Sequence, residues 1–200
     1  MDQAKKESIL VEAARAFARR GFKKASVDDI AKAAGVAKGT IYLACESKED
    51  LFYQALHREV RHWVAEVSKL IDPRQPADQL LAVMAFRGFQ NLDESPLVRD
   101  LLFGKTRELL PMWSDRFDEL RGLGTRNVIE VLKLGIRQRV FRDDLDVDRL
   151  GIILQDMQIA SYLFHGGRRS QEEMLDLYGA GLTLVLDGLR RPQGVSRHTP

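Results

Sequence analysis

From end to end, apolar residues in this chain recur at three- and four-residue steps. No segment alternates apolar and polar side chains as a half-buried strand would. That periodicity commits the backbone to helices, each with an apolar stripe that its neighbours must cover. The predicted fold class is all-α, with about nine helices. Leu10, Ala13, Ala14 and Phe17 form one face of a first helix over residues 5–20, which Gly21 is placed to end. Ser26 can cap a second helix, whose Ile30, Ala31 and Ala34 face inward before Gly35 stops it. A third short helix covers 37–44. Ser47 caps a long fourth, Lys48 to about Ile71, beyond which Pro73 and Pro76 forbid continuation. Further helices are predicted near 77–91, 96–109, 114–138, 147–165 and 170–190, and residues 192–200 read as a flexible polar tail.

Charge narrows the function. The chain holds 31 basic and 29 acidic residues, a net +2. Residues 1–50 carry 10 basic and 8 acidic side chains, whereas 51–186 carry 18 and 20. Any nucleic-acid contact must come from a few placed groups rather than bulk charge, and no stripe suits a membrane surface. No apolar run approaches the roughly 18 residues that cross a bilayer. The N-terminal residues lack the apolar core of a signal peptide, and the single Cys45 cannot make an internal disulfide. These features point to the cytoplasm.

The strongest local signal is SVDDIAKAAGVAKGTIYLACESKED, from Ser26 to Asp50. Two short helices are joined by Gly35-Val36-Ala37. Ala31 is small where two helix axes must approach, and Gly35 tolerates the positive φ a tight corner needs. Val36 plugs the corner, and Ile30, Ala34 and Ile41 complete a small core. This is a helix-turn-helix, whose second helix is presented to the major groove of DNA. With Ile41 inward, Lys38, Gly39, Thr40 and Tyr42 face outward. Lys38 can reach a phosphate or a guanine edge, and Gly39 lets the backbone approach DNA. Thr40 offers a hydroxyl and a methyl, and Tyr42 can donate to a phosphate. Lys48 and Ser26 begin helices, where an ammonium, a hydroxyl and free N–H groups favour phosphate.

On these residues the chain resembles the DNA-binding domain of TetR-family transcriptional regulators over residues 9–56. The matching stretches are ILVEAARAFARRGF, ASVDDIAKAAGVAKGTIY and SKEDLF. The resemblance implies a homodimeric all-helical repressor that loses DNA affinity when a small molecule binds its larger domain. It also implies DNA contacts at Ser26, Lys38, Gly39, Thr40, Tyr42 and Lys48. Three positions depart from the family pattern. Ala37 stands where a serine is frequent, and Ala44 and Cys45 stand where an aromatic or histidine followed by phenylalanine is usual. Loss of one phosphate donor weakens binding by about 1 kcal/mol.

The expected organisation is a three-helix reading head over residues 1–50, a ligand-binding and dimerisation domain over 51–191, and the tail. No catalytic set is recognisable, so the chain does not read as an enzyme. His57, His62, His165 and His198 lack metal-pair spacing, and no metal or cofactor is predicted. Large apolar side chains in the second part serve a helical core and can also line a ligand cavity. Trp63, Met84, Phe89, Phe103, Trp113, Phe117, Asn127 and Met157 are the candidate ligand residues, with Gln155, Gln158 and His165 as further polar anchors. An apolar or aromatic effector is expected. The last two helices are apolar around most of their circumference, which calls for a second subunit. Leu154, Met157, Leu175, Tyr178, Gly181, Leu182 and Val185 are the candidate dimer residues. Two symmetric heads would read an inverted repeat in double-stranded DNA. An activator or co-repressor-dependent regulator fits the same residues, as does a helical small-molecule-binding protein with weakened DNA affinity.

Overall fold

The computed structural model describes residues 2–90, 94–102, 114–165 and 168–191. The candidate ligand residues Phe103 and Trp113, the side chain of Phe117, and the segment 192–200 lie outside the described residues. Among the described residues there are nine α-helices and no strand: α1 (Gln3–Lys24), α2 (Val27–Ala33), α3 (Lys38–Ala44), α4 (Lys48–Ser68), α5 (Ala77–Gln90), α6 (Pro96–Leu102), α7 (Ser114–Arg137), α8 (Val147–His165) and α9 (Gln171–Leu189). The only extended pairing among them is a single antiparallel bridge between Phe141 and Arg190.

Caps set most helix starts. Ser26 Oγ accepts from the Asp28 N–H (3.2 Å), and Ser47 Oγ accepts from the Asp50 N–H (3.0 Å). Ser170 and Glu173 form a reciprocal capping box at α9, each side chain accepting from the other's backbone N–H. Three ends differ from expectation. Asp2 accepts from the Ala4 N–H and starts α1 earlier than the apolar stripe begins. Gly21, at φ +74°, breaks the regular run of α1 as expected, but helical backbone resumes to Lys24. The fourth helix ends at Ser68, because Leu70, Ile71 and Asp72 tighten into turns before Pro73, which disfavours helical backbone in the residue ahead of it.

The chain divides into two compact units, Met1–Glu66 with Gln90–Leu123, and Val67–Phe89 with Gly124–Pro200. The linear split after residue 50 differs from this. α4 continues unbroken through residue 50, and α6, far along the chain, packs against α1. In the first unit α2 packs on both α1 and α3. Its core includes Ile9, Ala13, Phe17, Ile30, Ile41, Phe52 and Leu56, all buried. The rings of Phe17, Phe22 and Phe52 meet pairwise at 4.9–5.9 Å between centroids.

In the second unit α8 packs on α9. Phe89 lies 4.4 Å from the ring of Tyr162 and 5.3 Å from that of Tyr178. Side-chain amides satisfy backbone groups there: the buried Gln158 donates through Nε2 to the Ala85 carbonyl (3.3 Å), and the exposed Gln171 donates through Nε2 to that of Phe89 (3.1 Å). After α7 the chain folds back on itself. A Cβ at Gly135 would lie 2.1 Å from the ring of Phe141, which is fully buried, so only glycine admits that ring.

Candidate nucleic-acid interface

The corner between α2 and α3 follows from hydrogen bonding and backbone freedom. Gly35 adopts φ +67°, the left-handed conformation that a side chain strains. Its N–H donates to the Lys32 carbonyl (3.2 Å), and the Val36 N–H donates to that of Ala31 (3.0 Å). These bonds satisfy the last carbonyls of α2 and turn the chain. Ile30, Ala31 and Ile41 are buried beneath the corner, and Ile41 is only 1% exposed. Val36 and Ala34 are half-buried rather than enclosed.

With Ile41 fixed inward, the opposite face of α3 is open. Lys38 and Gly39 are exposed, Thr40 is half-exposed, and Tyr42 is 48% exposed. Ser26 is half-buried, and because its oxygen accepts from Asp28, its proton remains available to a phosphate. Ala37 begins α3 with no side-chain cap, which leaves the first N–H groups of that helix unfilled by a side chain.

Both lysines already have partners. Lys38 Nζ donates to the Asp28 carboxylate at 2.8 Å, and that hydrogen bond raises its pKa. Lys48 Nζ donates to the Lys23 carbonyl (3.3 Å) and stands 4.7 Å over the Phe22 ring. A phosphate must compete with these partners, and near Lys38 it also meets the charge of Asp28. Asp29 is paired with Arg20. Sequence periodicity placed the lysines on the surface but did not reveal these partners, which lie 10 and 25 residues away.

Leu43 is 82% exposed on the same helix and was missed among the candidate contacts. The signal was present, since a helix that buries residue 41 turns residues 42 and 43 outward. Cys45 closes α3 and is buried, with its thiol pushed up to about 11 by burial. A buried neutral thiol reacts slowly. At pH 8 the native chain is expected to react with a disulfide reagent at least about tenfold more slowly than the urea-unfolded chain. Equal rates would show Cys45 to be accessible. The unfolded thiol ionises near 9.0 and the folded one near 11, so this group's contribution to stability is complete below pH 9 and lost as pH rises toward 11.

The other candidate sets are placed as follows. Met84 and Phe89 are buried in the second unit, Met157 is half-buried, and Asn127 Nδ2 donates to Ser68 Oγ at 2.7 Å. Trp63 lies in the first unit, half-buried, and its buried indole N–H has no hydrogen-bond partner among the described residues. Of the dimer candidates, Leu154, Tyr178 and Leu182 are buried within the protomer, and Tyr178 touches Phe89. Met157, Leu175, Gly181 and Val185 are half-exposed. The open apolar surface of α8 and α9 belongs instead to Ile152, Ile153, Phe164, Leu177 and Leu184. His57 is half-buried, 3.6 Å from Glu119, and burial lowers its pKa. No group of metal-ligating side chains occurs among the described residues, and no described helix is long and apolar enough to cross a membrane.

A glycine-cornered pair of short helices, with the outer face of the second open to solvent, makes this all-helical chain a helix-turn-helix DNA-binding protein. Residues 9–55 match the family described as bacterial regulatory proteins, tetR family. Over that segment the chain carries the DNA-binding domain of tetR-family regulators. It is 27% identical over 195 residues to the HTH-type transcriptional repressor KstR2 of Mycolicibacterium smegmatis, covering 96% of this chain and 93% of that protein. Its fold resembles that of FadR from Bacillus subtilis in complex with stearoyl-CoA, with a TM-score of 0.68, 21% identity, and coverage of 92% and 99%. It also resembles the ketosteroid transcriptional regulator KstR2 of Mycobacterium tuberculosis, with a TM-score of 0.56, 22% identity, and coverage of 96% and 98%.

Proposed function

We propose that this chain is a homodimeric cytoplasmic repressor that binds an inverted-repeat operator through α3 and is released by a small apolar or aromatic effector. The observation that carries the DNA reading is the pairing of a buried Ile41 with an open face of Lys38, Gly39, Thr40 and Tyr42 behind the Gly35 corner. Ser26 and Lys48 add phosphate contacts at its edges. Lys48 does so after releasing the Lys23 carbonyl. Two such heads about a two-fold axis would enter successive major grooves about 34–36 Å apart.

The effector reading draws on the apolar interior of the second unit, around Met84, Phe89 and Tyr162, with Asn127, Gln155, Gln158 and Met157 supplying polar and adaptable contacts. The KstR2 and FadR resemblances make steroid-like and acyl compounds the first to test. α4 runs without a break from Lys48, beside α3 in sequence, to Ser68, which Asn127 contacts. A ligand that displaces this helix would change the spacing of the heads, with coupling of about 1–3 kcal/mol.

A second reading, a helical ligand-binding protein with weakened DNA affinity, is favoured by Ala37, which supplies no cap, and by the occupied lysines. Selection of bound duplexes from random DNA by the full chain, followed by titration of the recovered site at several salt concentrations, separates the two. The repressor should recover an inverted repeat. For about six phosphate contacts, its affinity should fall roughly a thousandfold between 50 and 200 mM salt. Tyr42→Ala should weaken binding to that site with the helical content unchanged. No preference among sequences would overturn the repressor reading, and an effector that tightens binding would reverse its sign to co-repression.

A further inference from the structure

At 82% exposure, Leu43 is the most exposed large apolar side chain among the described residues, and it stands in the middle of the face assigned to DNA. It lies one turn after Gly39. A helical side chain leans toward the N-terminus of its helix, over the residue four positions earlier. At Gly39 there is no side chain, and a Cβ built there would meet nothing within 4 Å. Gly39 therefore leaves a bare strip of backbone beside Leu43 that a base edge can approach closely.

Leucine has neither donor nor acceptor, so it cannot contribute to phosphate binding or to hydrogen-bonded base reading. Along the major groove, guanine, adenine and cytosine present nitrogen, oxygen and amino groups, and thymine alone adds an apolar methyl. We propose that Leu43 is a specificity-determining residue that packs against the C5 methyl of one thymine in each half-site, with Gly39 providing the room. This rests on the DNA-binding reading above and adds a base preference to it. The protein should then prefer thymine to cytosine at that position by apolar contact, independently of the charged groups that set overall affinity.

The test uses the full chain and the operator recovered by selection. Each thymine is replaced in turn by deoxyuridine, which removes the methyl and nothing else. One position per half-site should weaken binding about fourfold, the equivalent of one buried methyl group. Leu43→Ala should bind the unmodified operator more weakly and show no further loss with deoxyuridine. Leu43→Met, which keeps an apolar reach, should retain the discrimination. Leu43 is exposed, so both variants should keep the helical content of the parent. Sequence-specific binding that is indifferent to every thymine methyl overturns this proposal and leaves the repressor reading standing. A methyl effect of equal size in Leu43→Ala also overturns it. Absence of any sequence preference in the parent chain sinks both.

Discussion

Phe52→Ala is expected to destabilise the first unit by about 3–5 kcal/mol, which is the usual cost of emptying a buried phenylalanine site. Phe52 is fully buried and contacts both Phe17 and Phe22, at 4.9 and 5.5 Å between centroids. Those rings come from α4, from the regular run of α1, and from the residue just past the Gly21 break. The substitution therefore loosens three chain segments together. Since domain stabilities are commonly about 5–15 kcal/mol, this loss is a large share of the total. Urea denaturation should show the midpoint falling sharply. Operator affinity should fall with it, because α3 is held in place by the same core through Ile41 and Ile30. A loss under about 1 kcal/mol would show that the cavity collapses and that the aromatic trio is not the main support of the reading head.

Most helix ends could be read from the sequence because they rest on local chemistry. Ser26, Ser47 and Ser170 cap their own helices within three residues, and Gly35 supplies its own positive φ. The buried positions Ile30, Ala31 and Ile41 followed from helical period alone. What periodicity could not supply is any partner distant in the chain. Lys38 and Lys48 were recognisable as surface cations, yet their partners depend on how α1, α2 and α4 converge. The same limit applies to α9. A helix apolar on nearly all sides offers no sequence clue to which side its own protomer takes. Tyr178, Leu182 and Leu186 went to the protomer core, and Leu177 and Leu184 to the surface. Leu177 and Leu184 are seven residues apart and share one face, a spacing that marks a contact seam once the opposite face is known to be filled.

That seam yields the second large expectation. The double variant Leu177→Glu with Leu184→Glu should turn the proposed dimer into a folded monomer. Leu177 is 47% exposed and Leu184 76%, so neither carboxylate disturbs the protomer core, and helical content should be retained. Across a two-fold interface on α8 and α9, the same substitutions bury four uncompensated charges against surface that includes Ile153 and Phe164. Light scattering at micromolar concentration should then report half the mass of the parent. Operator binding should fall roughly 100- to 10,000-fold, because each head must find its half-site without the effective concentration its linked partner provides. Leu182→Glu is the contrasting variant. Its side chain is buried in the protomer, so it should lower thermal stability as well as association. A parent chain that is itself monomeric, or a double variant that keeps the parent's mass, would remove α8 and α9 as the dimer surface. Binding to an inverted repeat would then require another face to bring the two heads together.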